Sequence, residues 1–276
     1  MKKILKMIYK KYKNIRNIFI WNKEFKRISK EIEPNNIEEL YLDGKKMILI
    51  PHSDDEWIGC SQVIKKSNED NLIFCNMNMQ GGDSEQLHKV RYEELEKTAK
   101  KFGAKLCTLS NNKVDELKTI IIKEKPKFIF VPFFIDWHPE HIETINILYN
   151  AIQMTNYEGN IIAYQVSLPM LSNMINKTLP MNKEEFKYKW KYFKDIYKTQ
   201  TTIPYERFKY NERINGKLVN TYACEPYLVC SIEEWISYYK KWKINEKDRE
   251  YIIDNLNSIG IIRKKLRDIY ESSKER

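Results

Sequence analysis

A chain of 276 residues is long enough to bury a full hydrophobic core, either as one domain with an extension or as two small domains. Its 42% hydrophobic and 31% charged residues are typical of a folded soluble protein. The five cysteines are odd in number, scattered and without a Cys-x-x-Cys pair, which indicates reduced core residues of an intracellular protein rather than a disulfide framework.

The formal net charge of +10 lies entirely in residues 1–30, which hold eleven Lys/Arg and one acid, Glu24. The other 246 residues carry 37 basic and 37 acidic side chains, which argues against nucleic acid as a partner. Apolar residues recur at helical spacing in the same segment: Ile4, Ile8, Tyr12, Ile15 and Phe19.

This segment therefore predicts a basic amphipathic helix, for which two roles remain open. It could lie on an anionic membrane surface, or it could pack on its own domain or on a partner with its lysines in solvent. No apolar run in it has the length of a signal-peptide core or a transmembrane helix.

Strands and helices alternate through the middle of the chain. Apolar runs predict strands at 46–51, 72–77, 106–109, 128–133 and 161–166. Helices are predicted at 54–68, 84–103, 112–124 and 139–154. This alternation is typical of parallel βαβ units and predicts an open, mostly parallel α/β sheet.

After residue 180 the sequence becomes charged and aromatic. Helices are predicted near 182–199, 232–243 and 246–272, with a hairpin around Asn215-Gly216. We therefore divide the chain into a basic N-terminal extension (1–42), an α/β core (43–180) and a helical, aromatic C-terminal cap (181–276) that completes the same catalytic unit.

Three of the four histidines lie in two motifs, each directly after a predicted strand. The first motif is Pro51-His52-Ser53-Asp54-Asp55-Glu56, and the second is Asp136-Trp137-His138-Pro139-Glu140-His141. Ligands of open α/β sheets bind at the carboxyl ends of the strands. If the chain crosses over between these two strands, the motifs converge on one cleft.

The residue types in these motifs favour a catalytic metal centre. Catalytic zinc takes three protein ligands from His and carboxylate groups and keeps one position open. We predict His52, Asp55 and His141 as ligands, and Asp54 as the base that accepts a proton from water. His138 could stabilise the oxyanion or protonate the leaving amine. These groups suit hydrolysis of an unactivated amide.

Each part also has a purely structural explanation. The segment from Ser53 to Glu56 matches a capping box, and acids in a first helical turn favour the helix dipole. Pro139 suits the first position of a helix, and His138 could be only its N-cap. None of these explains His52 or its counterpart after the later strand.

The two motifs resemble those of the LmbE-like, PIG-L-type N-acetylglucosaminyl deacetylases, which read [AP]-H-P-D-D-E and H-P-D-H. The resemblance covers roughly residues 46–170. It implies a Rossmann-like fold, Zn2+ bound by His52, Asp55 and His141, Asp54 as general base, and His138 as the transition-state histidine, oriented by a catalytic Glu140. Ser53 stands where the family usually has Pro, and Glu140 where it usually has Asp.

A weaker third motif extends the resemblance. Gly81-Gly82-Asp83 is followed by Arg91 and Glu94, which resemble the family's R-x-x-E after a Gly-rich turn, where the arginine contacts substrate. Asp83, Arg91, Glu94 and Trp137 are the expected substrate-binding residues. Trp137 could stack on a sugar face, with core packing as its alternative role.

The implied substrate is an N-acetylated amino sugar of the GlcNAc type in a glycolipid, glycan intermediate or glycoconjugate. The expected location is the cytoplasm, with residues 1–30 as a candidate contact to the inner face of a membrane. The alternative is a catalytically inactive sugar-binding or membrane-surface scaffold on the same fold.

Overall fold

The computed structural model describes residues 2–68, 70–200, 205–242 and 244–274 as one mixed α/β structure. The helices are α1 Lys2–Glu31, α2 Asp55–Lys66, α3 Glu85–Lys101, α4 Lys113–Glu124, α5 Pro139–Gln153, α6 Lys183–Ile196, α7 Tyr205–Leu218, α8 Ile232–Lys241, α9 Glu246–Asp254 and α10 Ile259–Lys274. The strands are β1 Glu38–Glu39, β2 Lys46–Ile50, β3 Leu72–Asn76, β4 Lys105–Thr108, β5 Phe128–Pro132, β6 Asn160–Tyr164, β7 Lys177–Met181 and β8 Ala223–Cys230. A short 3₁₀ turn spans Ser172–Met174.

All eight strands form one sheet in the order β1-β7-β8-β6-β5-β2-β3-β4. Among the strands of the described residues, β8 alone runs against its neighbours, pairing antiparallel with β6 and β7, while the other pairs are parallel. The open, mostly parallel sheet predicted from the alternation is confirmed.

The sheet is covered on both faces, which explains why its central strands read as unbroken apolar runs. Every residue of β2, β3 and β5 is buried. Met47 and Leu49 join a core cluster that includes residues of α4, α5, α8 and α10, whereas Ile48 and Ile50 join a second cluster with residues of α2, α3 and α6. Alternate residues of β2 therefore serve opposite faces.

The segment predicted as a C-terminal cap also supplies a strand to the interior of the sheet. β8 lies between β6 and β7 and joins them, with Tyr164 opposite Tyr227 and Thr178 opposite Pro226. Residues 223–230 are thus part of the sheet that carries the two motifs. The domain boundaries at 42 and 180 remain predictions.

Two predictions of local secondary structure are wrong, and strands β1, β7 and β8 have no counterpart among the predicted strands. The predicted hairpin at Asn215-Gly216 lies inside α7, because a side chain at Gly216 would come within 2.6 Å of the Ala223 backbone and glycine allows the close approach. The helix predicted over 246–272 is two helices, α9 and α10, separated at residues 255–258.

The N-terminal extension is helical over α1, as its spacing predicts. The side chains of Ile4 and Ile8, two members of the predicted stripe, lie outside the described residues. Among the described residues, no helix combines the length and apolar character that crossing a bilayer requires.

Candidate metal and catalytic site

The two histidine motifs meet because β2 and β5 are neighbours. The strands pair in parallel with Met47 opposite Ile129 and Ile48 opposite Phe130, so their carboxyl ends lie at the same edge. β2 pairs with β3 on its other side, and the chain order therefore reverses between β2 and β5. Such a switch point opens the crevice in which open α/β sheets bind ligands.

Three histidine rings cluster at this edge. The ring centroids lie 4.6 Å apart for His52 and His138, 5.2 Å for His52 and His141, and 4.9 Å for His138 and His141. Each ring offers one nitrogen within 4.8 Å of the others, so these residues could hold a metal ion.

The carboxylate of Asp55 lies at the centre of the cluster. Its Oδ2 accepts the backbone N–H of His52 at 2.9 Å and lies 3.2 Å from His52 Nδ1 and 3.3 Å from His141 Nε2. Burial alone would raise the pKa of Asp55, but His141 and His52 lower it well below its ordinary value. Asp55 is therefore a permanent carboxylate.

These spacings fit a metal ion. Ligand atoms roughly 2.1 Å from a tetrahedral ion stand roughly 3.4 Å apart, and Asp55 Oδ2 is at nearly that distance from both histidine nitrogens. The donor set of imidazole and carboxylate suits zinc. The structure thus brings His52, Asp55 and His141 together, although their role as ligands stays a prediction.

His141 is held in one orientation from behind. Its Nδ1 lies 2.8 Å from Asp136 Oδ2 and 3.2 Å from Ser167 Oγ. Burial would lower the pKa of His141, but Asp136 and Asp55 raise it well above its usual value. With Nδ1–H donated to Asp136, a metal ion would take the place of the proton on Nε2 that faces Asp55, which is the arrangement of a carboxylate–histidine–metal triad.

His138 is both the N-cap of α5 and a member of the cluster. Its Nδ1 accepts the backbone N–H of Glu140 at 3.3 Å, so the proton of the neutral ring is on Nε2. Burial, followed by the neighbouring His141 and His52, lowers its pKa to about 4. The ring is therefore neutral near pH 7 and can donate a hydrogen bond through Nε2.

The Glu140 carboxylate contacts His52, while the Glu140 backbone N–H is donated to Nδ1 of His138. Its Oε2 lies 2.5 Å from His52 Nε2, and its Oε1 accepts the backbone N–H of Gly81 at 3.0 Å. The hydrogen bond with His52 lowers the pKa of Glu140 to about 2 against the effect of burial. The longer side chain that replaces the usual Asp reaches across the cleft to the other motif. A catalytic role for Glu140 stays a prediction.

Asp54 has the features of a carboxylate kept for chemistry. Its backbone has φ 138°, which is rare for a residue other than glycine, and its buried Oδ2 has no hydrogen-bond partner among the described residues. Burial, followed by the charges of Asp55 and Glu56, raises its pKa well above the ordinary value. A raised carboxyl pKa suits a general base that works near neutral pH.

Ser53 does not cap α2, so the capping box predicted for Ser53 and Glu56 is wrong. The helix begins at Asp55 with Asp54 as N-cap and no side-chain cap. Glu56 instead accepts the backbone N–H of Asp54 at 3.0 Å, and its other oxygen is hydrogen-bonded to the Tyr197 hydroxyl. The pKa of this fully buried carboxyl is about 7, raised by burial.

The predicted substrate residues divide between two places. Arg91 Nη1 forms an ion pair with Asp83 Oδ2 at 2.5 Å. The positive charge of Arg91 partly offsets the rise in the pKa of Asp54. The Trp137 ring lies 5.2 Å from His138. Glu94, by contrast, uses both oxygens on Thr199, accepting its backbone N–H at 3.1 Å and its hydroxyl at 2.6 Å.

The turn of Gly81 and Gly82 borders the cluster. Gly81, at φ +60°, is close enough that a Cβ there would lie 3.6 Å from the His52 ring, whereas a Cβ at Gly82 would meet no atom within 4 Å. A side chain at Gly82 would therefore point into open space.

Sequence reasoning missed several supporting residues. Asp136 stands in the second motif and could have been found as an acid five residues before a predicted ligand. Ser167 and Tyr197 carry no local signal, because they reach the site from distant segments. Gln200 likewise donates from Nε2 to the Ser53 carbonyl at 3.1 Å.

Part of the chain resembles a known protein family. The family model described as GlcNAc-PI de-N-acetylase (PIG-L) matches residues 47–152, a range that contains both histidine motifs, Arg91 and Glu94. The resemblance inferred from the motifs is confirmed over this part of the chain. No curated protein matches the chain in sequence.

Three solved structures share the fold. Conserved protein TT1542 from Thermus thermophilus is 15% identical with a TM-score of 0.53, covering 67% of this chain and 93% of that one. GalB, the 4-carboxy-2-hydroxymuconate hydratase from Pseudomonas putida, is 12% identical with a TM-score of 0.51, covering 67% and 95%. The zinc-inhibited form of teicoplanin deacetylase Orf2 is 12% identical with a TM-score of 0.50, covering 67% and 97%. At these identities the likeness shows the fold alone.

Proposed function

From the match of residues 47–152 to the PIG-L family, we propose that this protein is a zinc-dependent amide hydrolase. It removes the acetyl group from an N-acetylated amino sugar of the GlcNAc type, carried in a glycolipid, a glycan intermediate or another glycoconjugate. The products are a free amine and acetate.

His52, Asp55 and His141 would hold the zinc ion. When bound, zinc lowers the pKa of water and polarises the amide carbonyl. Asp54 then accepts the proton of the attacking water, since its unpartnered Oδ2 and raised pKa suit that task. The same proton passes from Asp54 to the leaving amine nitrogen, so the carboxylate is regenerated in each turnover.

His138 stabilises the oxyanion in this scheme. Its Nδ1 is occupied by the Glu140 backbone and its pKa is about 4, so near neutral pH it offers an Nε2–H and no transferable charge. A fixed hydrogen-bond donor at the developing charge is the usual means of stabilising such an intermediate. Glu140 holds the His52 ring from the facing loop.

The sugar lies beside Gly82 in this proposal, where the site opens. Arg91, fixed by Asp83, binds it from the third motif, and Trp137 flanks it on the side of His138. Glu94 supports these groups indirectly by holding Thr199.

One observation supports the proposal most. His52 and His141 converge on one oxygen of Asp55 at 3.2 and 3.3 Å, directly beside the buried Asp54, whose Oδ2 has no hydrogen-bond partner among the described residues. The fold alone does not determine the reaction, because the hydratase GalB and the teicoplanin deacetylase Orf2 both have it. An inactive scaffold would have no use for a carboxylate kept unpaired at a physical cost.

The test combines metal analysis with an acetate-release screen. The purified protein is assayed for zinc and then incubated with phosphatidylinositol-linked, nucleotide-linked and simple glycosides of N-acetylhexosamines. We expect one zinc per chain and release of acetate and primary amine in equal amounts, both abolished by a chelator and restored by zinc. Metal-free protein that is folded and inert on all three classes would favour the scaffold alternative.

We further place this activity in the cytoplasm at a membrane surface. All five cysteines are free, and four of them are buried, which is in keeping with a reducing compartment. The basic segment of residues 1–30 is the proposed membrane contact.

A further inference from the structure

The helix α1 is divided into a docked half and a free half. Trp21, Phe25 and Ile28 are buried and pack with Ile214 of α7 and Ile259 of α10. This part of α1 belongs to the body of the protein, as one of its two predicted roles required.

Polar contacts fix the docked half in place. Glu24 accepts the Ser258 hydroxyl at 2.6 Å and the backbone N–H groups of Ile259 and Gly260, at 2.9 and 3.2 Å, at the start of α10. A carboxylate at a helix N-terminus is stabilised by the unpaired amides and the helix dipole. The Trp21 indole donates to the Asn257 carbonyl at 2.7 Å. Glu24, the single acidic residue of residues 1–30, is therefore engaged in the contact between α1 and the start of α10.

The preceding two turns of α1 present an exposed stripe of large apolar side chains. The exposed fractions are 64% for Tyr12, 59% for Ile15, 40% for Ile18 and 72% for Phe19. With about 100° of rotation per residue, this exposed stripe is centred roughly 120° around the helix from the docked side chains. Tyr12, Ile15 and Phe19 thus form a second face, and Ile18, about 20° around the helix from Phe25, lies where this face meets the docked one.

Charge identifies what this face can accept. Residues 1–30 carry +10, and Arg16 and Lys23 are exposed near the stripe. A second copy of the chain would bring the same charge and be repelled. A polyanion such as nucleic acid would pair with the charges but leave Ile15 and Ile18 without apolar contacts. An anionic bilayer satisfies both requirements, because it offers acyl chains beneath negative headgroups.

We propose that the exposed stripe of Tyr12, Ile15, Ile18 and Phe19 is a membrane-docking face that lies in the interface of an anionic bilayer. The docked half of α1 connects this face to the body that carries the histidine cluster. The proposal does not depend on the reaction catalysed, but it brings the site to lipid-linked substrates.

The test is a vesicle flotation assay with the full-length chain. The variant Ile15→Ser/Phe19→Ser removes apolar area from the stripe, and Tyr41→Ser/Ile122→Ser is the matched control, since Tyr41 and Ile122 are exposed apolar residues elsewhere, at 78% and 52%. Vesicles of neutral phosphatidylcholine are compared with vesicles containing phosphatidylglycerol. Circular dichroism and thermal unfolding show whether each variant is folded.

We expect the parent chain and the control to bind the anionic vesicles, to bind neutral vesicles far less, and to lose binding as salt rises. The stripe variant should bind the anionic vesicles at least about tenfold more weakly. Equal binding by the parent and the stripe variant would overturn the proposal. It would also be overturned if the parent formed a dimer that the stripe variant abolished, or if the stripe mattered for duplex DNA and not for vesicles.

Discussion

The Asp136 carboxylate holds the His141 ring, with Oδ2 at 2.8 Å from Nδ1. Its other oxygen accepts the backbone N–H of His138 at 2.9 Å. One side chain therefore fixes both the ring of a proposed metal ligand and the start of the helix that carries it. This contact also leaves Nε2 as the nitrogen of His141 that faces Asp55.

We expect Asp136→Asn to weaken zinc binding by about 10- to 100-fold, because the amide no longer favours the proton on Nδ1 of His141. A chelator competition titration measures the affinity. Glu143→Gln is the control, since Glu143 is an exposed carboxylate on the same helix. An affinity equal to that of the parent would mean that Asp136 serves only the start of α5.

The ligand set is tested by substituting the histidines one at a time. We expect His141→Ala to lose both zinc and activity, because it removes one of three ligands. His138→Ala should keep its zinc and lose turnover, because in our proposal His138 binds the oxyanion. Metal analysis of the folded variants distinguishes the two roles. Loss of zinc from His138→Ala would instead support the set of three histidines as ligands.

Asp54→Asn separates the base from the ligands. Asparagine tolerates a positive φ and keeps the shape of the side chain, so we expect a folded protein with normal zinc content. The amide cannot accept a proton from water, and turnover should fall by about 10²- to 10⁴-fold. Acetate release at saturating substrate measures the change. Near-normal turnover would show that Asp54 is not the general base and serves only as the residue before α2.

Glu56 is expected to support Asp54 from within the core. It accepts the Asp54 backbone N–H at 3.0 Å and bonds to Tyr197, whose hydroxyl lies 2.7 Å from Thr98 Oγ1. Glu56→Ala would leave the Asp54 N–H unpaired and remove one of the two partners of the Tyr197 hydroxyl, and it should lower the free energy of unfolding by about 1–3 kcal/mol.

Glu56→Ala should also lower kcat while changing KM less. The reason is that Glu56 accepts the Asp54 backbone N–H and so helps to hold Asp54 in its uncommon conformation. Glu56→Gln keeps an acceptor and should recover part of both losses. Urea unfolding and steady-state kinetics measure them. A loss of stability without any change in kcat would confine Glu56 to a structural role.

The sequence predicts the α/β core well and the C-terminal part poorly, for a physical reason. Strands β2, β3 and β5 are buried throughout and β6 is buried except at Asn160, so they read as apolar runs. Strand β4 is a partly exposed edge strand of the sheet. The predicted bounds of these five strands differ from the observed ones by one or two residues. Strand β7 contains Lys177 and Pro180, and β8 contains Glu225 and Pro226. Their polar residues find partners far away in the chain, and no local pattern reports this.

The same distinction holds for the site. Residues that follow a strand directly, such as His52 and His141, are placed by the strand, and the sequence predicts their meeting once β2 and β5 are neighbours. Tyr197 reaches Glu56 across 141 positions of the chain, and Ser167 reaches His141 across 26. These partners depend on the packing of whole helices, which no motif encodes.

The last prediction concerns pH and a buried charge cluster away from the site. Lys189 is fully buried and contacts the carboxylates of both Glu212 and Glu225, the latter at 2.6 Å. The single positive charge of Lys189 is thus shared by two carboxylates in the protein interior. Burial, aided by the charge of Glu225 and opposed by Lys189, raises the pKa of Glu212 from 4.5 to about 7.

Between these two pH values the folded chain binds more protons than the unfolded chain. The free energy of unfolding should therefore fall as pH rises from 4.5 to about 7, by on the order of 3 kcal/mol from this group. Glu212→Gln cannot titrate and should remove that part of the slope. Urea unfolding across the interval gives the comparison, with Glu96→Gln, an exposed glutamate on α3, as the control. Parallel pH profiles for the parent and Glu212→Gln would show that Glu212 is ionised in the fold throughout.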